Sequence, residues 1–119
     1  MEPETFHEKL KKKMDAYAHL IYQITRGFPR EELYGIIAQL RRAALSVILN
    51  YLEGYARGKD KGKVYKNFFE ISYGSLKETK YLLYFSFTEN YFNKDDYQKT
   101  IEIADQIGAM LWGIIKNLK

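Results

Sequence analysis

The sequence predicts an all-α protein: an up-down-up-down antiparallel four-helix bundle that assembles into a cyclic homo-oligomer. Three observations predict it. Strand signals are absent, with no Asn-Gly or Asp-Gly turn and no sustained alternation of apolar and polar residues. Three breaks, at Gly27-Phe28-Pro29, at Gly58 to Gly62 and at Glu89 to Asp96, leave four segments of helical period. The last three segments carry more apolar surface than one bundle can cover.

The first segment places Phe6, Leu10, Met14, Tyr17, Ile21 and Ile24 on one line, in steps of 4, 4, 3, 4 and 3. Its other face is wet, with Glu8, Lys11, Lys12, Asp15, His19, Gln23 and Arg26. The second segment has two apolar lines. One runs from Leu33 through Leu40, Ala44, Val47 and Tyr51 to Tyr55, and the other is Leu45, Leu49, Leu52 and Ala56. At about 100° per residue they cover roughly 200° of the helix. The remaining polar seam is Gln39, Arg42, Ser46, Asn50, Glu53 and Arg57.

The third segment repeats this breadth with aromatics. Val64, Phe68, Ile71, Leu82 and Phe85 form one line beside Tyr65, Phe69, Leu76, Leu83 and Phe87. Gly74 sits in mid-helix, at a cost of about 1 kcal/mol against Ala. Close approach to Ala43-Ala44 would offset it. The fourth segment opens on an Asp95 or Asp96 cap and continues through Ile101, Ala104, Gly108, Leu111, Ile115 and Leu118. The expected helices are therefore about 4–27, 30–57, 63–88 and 95–118 of one domain spanning residues 1–119. Short connections make neighbours antiparallel. The surplus apolar surface of helices two to four is expected to form the subunit interface.

The composition narrows the chemistry. The chain has 119 residues and no cysteine, which excludes disulfides, thiolate nucleophiles and cysteine-ligated metals. No apolar run reaches the roughly 18 residues of a membrane span, and the acidic N-terminus has no signal-like core, so a cytoplasmic location is expected. Glu4-x-x-His7 has half the spacing of a di-iron carboxylate site, but no second histidine follows a glutamate by three. Gly58-Lys-Asp-Lys-Gly62-Lys63 is one residue short of a phosphate loop and has Val64 where a hydroxyl should hold magnesium. No histidine is placed to serve Ser46 or Ser75. Glu53 and Arg57 read as an ion pair in the favourable order. His7 and His19 read as solvated side chains. No catalytic set, metal, cofactor or small-molecule substrate is expected, and the protein reads as not an enzyme.

Charge is more informative. Lysine and arginine total 19 against 15 acids, a net +4. Arg57, Lys59, Lys61, Lys63 and Lys66, less Asp60, supply all of that excess at one helix–helix turn. Repeated round a ring, the turn would make a field suited to a phosphate backbone. On charge alone a solubilising loop also accounts for it. Arg41 falls inside the apolar arc of the second helix, which suggests an interface or a pore. The tyrosines and phenylalanines could serve as base-stacking platforms, but their helical spacing assigns them to the core.

An ordered series of residues adds a resemblance. Phe28-Pro29 is followed by Gln39-Leu40-Arg41-Arg42-Ala43-Ala44-x-Ser46 and then by Asn50-x-x-Glu53-Gly54-x-x-Arg57. Next comes Tyr65-x-x-Phe68-Phe69-x-Ile71-x-x-Gly74-Ser75-Leu76-x-Glu78. The series resembles the small bacterial four-helix-bundle proteins encoded in intervening sequences of large-subunit ribosomal RNA genes. Those are related to the accessory variability determinants of diversity-generating retroelements, and the stretch Ile107 to Lys116 looks like the last helix of that second group. The chain departs from the pattern at Ile48, Ala56, Thr79 and Lys80, which bears on the subgroup more than on the fold.

The resemblance implies a homopentameric barrel with a basic central funnel, binding RNA or DNA and, in the retroelement group, a reverse transcriptase. It also implies that the seam of Gln39, Arg42, Ser46, Asn50 and Glu53 is an inter-helix polar network. The expected function is thus a non-enzymatic nucleic-acid-binding accessory protein, with Arg41, Arg57, Lys59, Lys61, Lys63 and Lys66 meeting phosphates. The rival is a protein-binding scaffold without nucleic-acid contact.

Overall fold

The computed structural model describes residues 3–58 and 62–118. Four helices account for most of them: α1 (Phe6–Thr25), α2 (Ala38–Arg57), α3 (Gly62–Thr88) and α4 (Lys94–Ile115). There is no strand among the described residues. The Thr5 hydroxyl accepts from the Glu8 amide to open α1. Asn93, not an aspartate, caps α4, accepting from the Asp96 amide at 2.7 Å. Asp95 and Asp96 sit instead in the first turn, where acids oppose the helix dipole.

Helix two starts later than its periodicity predicts. After Pro29 the chain makes a short 3-10 turn, Arg30–Glu32, and a π turn, Leu33–Ile37. Gly35 leaves helical geometry there, at φ −107° and ψ −111°. The Glu32 carboxylate bridges this kink, accepting from the Ile36 amide and from the Tyr91 hydroxyl. The latter bond, at 2.8 Å, pushes the Tyr91 phenol up to about 12.

Neighbouring helices run antiparallel. His7 near the start of α1 meets Tyr51 near the end of α2, and Arg41 near the start of α2 meets Thr25 at the end of α1. Ser75 of α3 meets Ser46 of α2, and Lys80 of α3 pairs with Asp105 of α4. Lys13 of α1 donates to Gln106 of α4 and closes the circuit. The core is a single cluster through Leu10, Met14, Tyr17, Leu40, Val47 and Phe69, joined by Leu76, Leu83, Ile107 and Leu111. Tyr17 crosses it to bond Thr79, 2.8 Å away, and burial raises this phenol's pKa. The close approach expected at Gly74 occurs elsewhere. Gly74 has open space beside it, whereas a Cβ on Gly54 would lie 2.9 Å from Phe68 Cβ. Gly54 is therefore the glycine that brings α2 and α3 together.

Candidate functional site

The four helices share one end at which α1 and α3 begin and α2 and α4 finish. Most of the surplus basic charge lies there. Lys63 is exposed and Lys66 half-buried, both near the start of α3. Arg57 closes α2 and is held by Glu53, with N–O distances of 3.1 and 2.7 Å, over the Phe68 ring. Lys59 and Lys61 lie outside the described residues. Lys9, Lys11 and Lys116 are exposed on the neighbouring ends of α1 and α4. Glu4 is engaged by Lys12, whose ammonium lowers its pKa, and Glu8 accepts from the Thr5 hydroxyl. The opposite end mixes Glu31, Glu32, Glu89, Asp95 and Asp96 with Arg26, Arg30 and Lys94.

Arg41 does not join the basic end. Its Nε donates to the Thr25 hydroxyl at 2.9 Å, a terminal nitrogen donates to the Tyr22 carbonyl, and its guanidinium lies 4.6 Å from the Tyr22 ring centre. It ties α2 to α1 at the far end of the bundle.

The polar seam divides into parts. Asn50 donates to the Ser46 carbonyl and hydroxyl, and Ser46 bonds Ser75 across the α2–α3 contact at 2.7 Å. That section is an inter-helix network. Glu53 and Arg57 form the expected ion pair within α2, each about half exposed. Gln39 and Arg42 are exposed.

Beyond the seam the outer surfaces of α2 and α3 carry large apolar side chains. Leu45, Leu49 and Leu52 line α2, and Val64, Ile71 and Phe85 line α3; all six are exposed, Leu49 at 60%. On both helices these residues flank the Ser46–Ser75 contact on the side away from the core. They are the surplus lines of the sequence, left uncovered by the subunit's own helices.

At the basic end the helices enclose an open cleft of about 830 Å³. Phe6, His7, Tyr55 and Tyr65 line one side, and Met110 and Ile114 of α4 line another. His7 is half-buried rather than solvated. Its ring stacks on Tyr55 with centroids 3.6 Å apart, and its Nδ1 lies 2.8 Å from the Tyr51 hydroxyl. Burial, then the Lys11 charge, lowers the His7 pKa. Burial beside other phenols raises that of Tyr51. The aromatics are thus not all core: Tyr55, Tyr81 and Tyr84 are exposed, because they sit outside the buried sector of their helices. A usable signal for His7 was its spacing, since residues 7, 10, 14, 17 and 21 step by 3, 4, 3 and 4 along the core line. Phe6, placed there instead, is 51% exposed.

No group of three potential metal ligands converges among the described residues. No described helix is long and apolar enough to cross a membrane.

A family model described as 23S rRNA-intervening sequence protein matches residues 8–113. The fold is similar to that of a Bacteroides thetaiotaomicron protein, described as of unknown function and from the S23 ribosomal protein family. The TM-score is 0.83 at 20% identity, over 95% of this chain and 100% of that one. No curated protein matches the chain.

Proposed function

The chain belongs to the 23S rRNA-intervening sequence protein family, and from that premise we propose that it is a non-enzymatic, oligomeric nucleic-acid-binding accessory protein. The observation that carries this reading is the charge of the turn from Arg57 to Lys66, which equals the net charge of the entire chain. Lys63 and Lys66 stand at the same end as Lys9, Lys11 and Lys116, so one pole of the bundle would face phosphates. Such contacts position a backbone without reading bases, so sequence selectivity is weak and binding is salt-sensitive.

Association follows from the outer face of α2 and α3. A run of exposed leucine, isoleucine and phenylalanine is costly on a lone subunit, and a second copy covers it. The proposal places this face between subunits of a ring, pentameric by the resemblance, with a basic pole repeated round one rim. Partnership with a reverse transcriptase rests on the resemblance of the last helix; co-purification of the two from one operon is its test.

The test of the main reading is binding of labelled RNA and DNA by wild type and by the triple variant Lys59→Glu, Lys61→Glu, Lys63→Glu at several salt concentrations. Wild type is expected to bind with a log–log slope of about −0.9 per phosphate neutralised on duplex. The triple variant is expected to lose binding. Undiminished binding by the variant would place the interface elsewhere. The rival reading, a protein-binding scaffold, draws on Tyr34, 93% exposed beside the exposed Leu33 on the π turn. Capture of a partner by nuclease-treated protein, lost on Tyr34→Ala, would favour it.

A further inference from the structure

The cleft at the basic pole has a composition that a charge-only interface does not need. Phe6 and Tyr55 are about half exposed, at 51% and 49%, so each offers aromatic surface to the solvent side. Tyr65, edge-on to Phe69, lines the same space, and Met110 and Ile114 supply an apolar wall. Exposed aromatic surface beside an apolar wall suits a flat ring.

Polar groups converge on the same space. With His7 Nδ1 engaged by Tyr51, its Nε2 remains for a ligand in either tautomer. Asn117, another lining residue, donates its amide to the Gly113 carbonyl and keeps its own carbonyl oxygen as an acceptor. The lowered His7 pKa keeps the ring neutral at physiological pH, so it can exchange hydrogen bonds with an uncharged heterocycle.

The surroundings favour an anion attached to that ring. Lys11 acts on His7 electrostatically, while Lys63 and Lys66 stand on the adjoining face of α3, about Val64 and Phe68. Of the acids at this end, Glu4 is paired with Lys12, while the Glu8 carboxylate accepts from the Thr5 hydroxyl and keeps its charge, which partly offsets that of Lys11 at His7. A cleft of about 830 Å³ lies within the usual range of ligand sites, roughly 300–1,000 Å³.

We infer that this cleft holds an unstacked nucleobase of a single-stranded nucleic acid, whose neighbouring phosphates run over the lysines exposed around this end of the bundle. The inference rests on the proposed function and deepens it. Phosphate contact alone favours the duplex, whose charge is denser; an aromatic cleft favours the strand whose bases are free to enter. A polymer is the source because basic residues of α1 and α3 and of the chain just after α4 stand at this end of the bundle, more than one phosphate requires.

The experiment compares a labelled 12-nucleotide single strand, a 12-base-pair duplex and adenosine monophosphate on wild type, Phe6→Ala, Tyr55→Ala and the double variant Lys63→Glu, Lys66→Glu. Circular dichroism confirms that each variant is folded. Each aromatic variant is expected to weaken single-strand binding roughly 5- to 150-fold, leaving duplex binding and the salt slope unchanged. The lysine variant is expected to weaken both polymers and flatten the slope.

Aromatic variants that bind the single strand as wild type does, or that lose strand and duplex in parallel, would overturn the cleft while leaving the basic pole standing. Wild type that binds neither polymer would overturn both. Adenosine monophosphate binding as tightly as the strand would make this a free-nucleotide site and overturn the polymer assignment.

Discussion

His7 and Tyr51, separated by 44 residues in sequence, join the first turn of α1 to the last turns of α2 through a 2.8 Å contact. Tyr55 completes a small stack, its ring parallel to that of His7 and tilted against that of Tyr51. The arrangement makes the basic pole sensitive to acid.

The sign follows from the lowered His7 pKa. The folded protein releases the imidazole proton more readily than the unfolded chain, whose histidine titrates near 6.5. Above that pH both states are neutral and the contribution is fully present. Below it the unfolded state takes up the proton first, so stability is lost as pH falls toward the lower folded pKa. Lys11 strengthens the effect and Glu8 opposes it. Thermal melts of wild type are expected to fall between pH 7.5 and 5.5, with a smaller fall in His7→Gln. An equal fall in both would remove His7 as the cause.

Two glycines should respond oppositely to alanine. Gly54→Ala drives a methyl to 2.9 Å from Phe68 Cβ and from the Phe69 ring, and is expected to cost about 1–3 kcal/mol. Gly74→Ala meets nothing within 4 Å and removes a helix-weakening residue, so it should stabilise the subunit by up to about 1 kcal/mol. Urea denaturation of both variants checks the pair.

Arg41→Ala removes a hydrogen bond to Thr25, another to the Tyr22 carbonyl and the ring contact with Tyr22. The expected cost is about 1–3 kcal/mol. Nucleic-acid affinity should be unaffected, because this guanidinium is committed to α1. A drop in affinity without a drop in stability would return Arg41 to the binding surface.

Leu49→Glu puts a charge in the middle of the exposed α2 line. Helix content should persist, since Leu49 lies outside the core cluster. The mass by light scattering is expected to fall toward the 14.1 kDa of one chain. Wild type already at that mass would refute the proposed ring.

Periodicity located the helices because each core line is long and regular, and it placed the chain breaks at Gly27-Phe28-Pro29 and near Gly58. It could not rank two apolar lines on one helix. Tyr51 and Leu52 are adjacent and similarly apolar, yet one is sealed in the core and the other is exposed. Only the position of α3 decides between them. The same limit misplaced the glycine contact, because Gly54 and Gly74 differ only in what lies opposite. Asn93 was missed as a cap because the two following aspartates have the same chemistry. The π turn at Leu33–Ile37 was hidden because its residues continue a helical period while Gly35 interrupts the geometry. At the basic pole the lysines were legible from charge alone. The cleft was not, because its walls come from all four helices and meet only on folding.

The uneven distribution of charge along the bundle gives it a head and a tail. A polyanion pulls the lysine-rich head toward itself and exerts little pull on the mixed-charge tail. On the proposed reading docking would be end-on, and the exposed Leu33 and Tyr34 of the kinked stretch at the tail would stay clear of the polyanion.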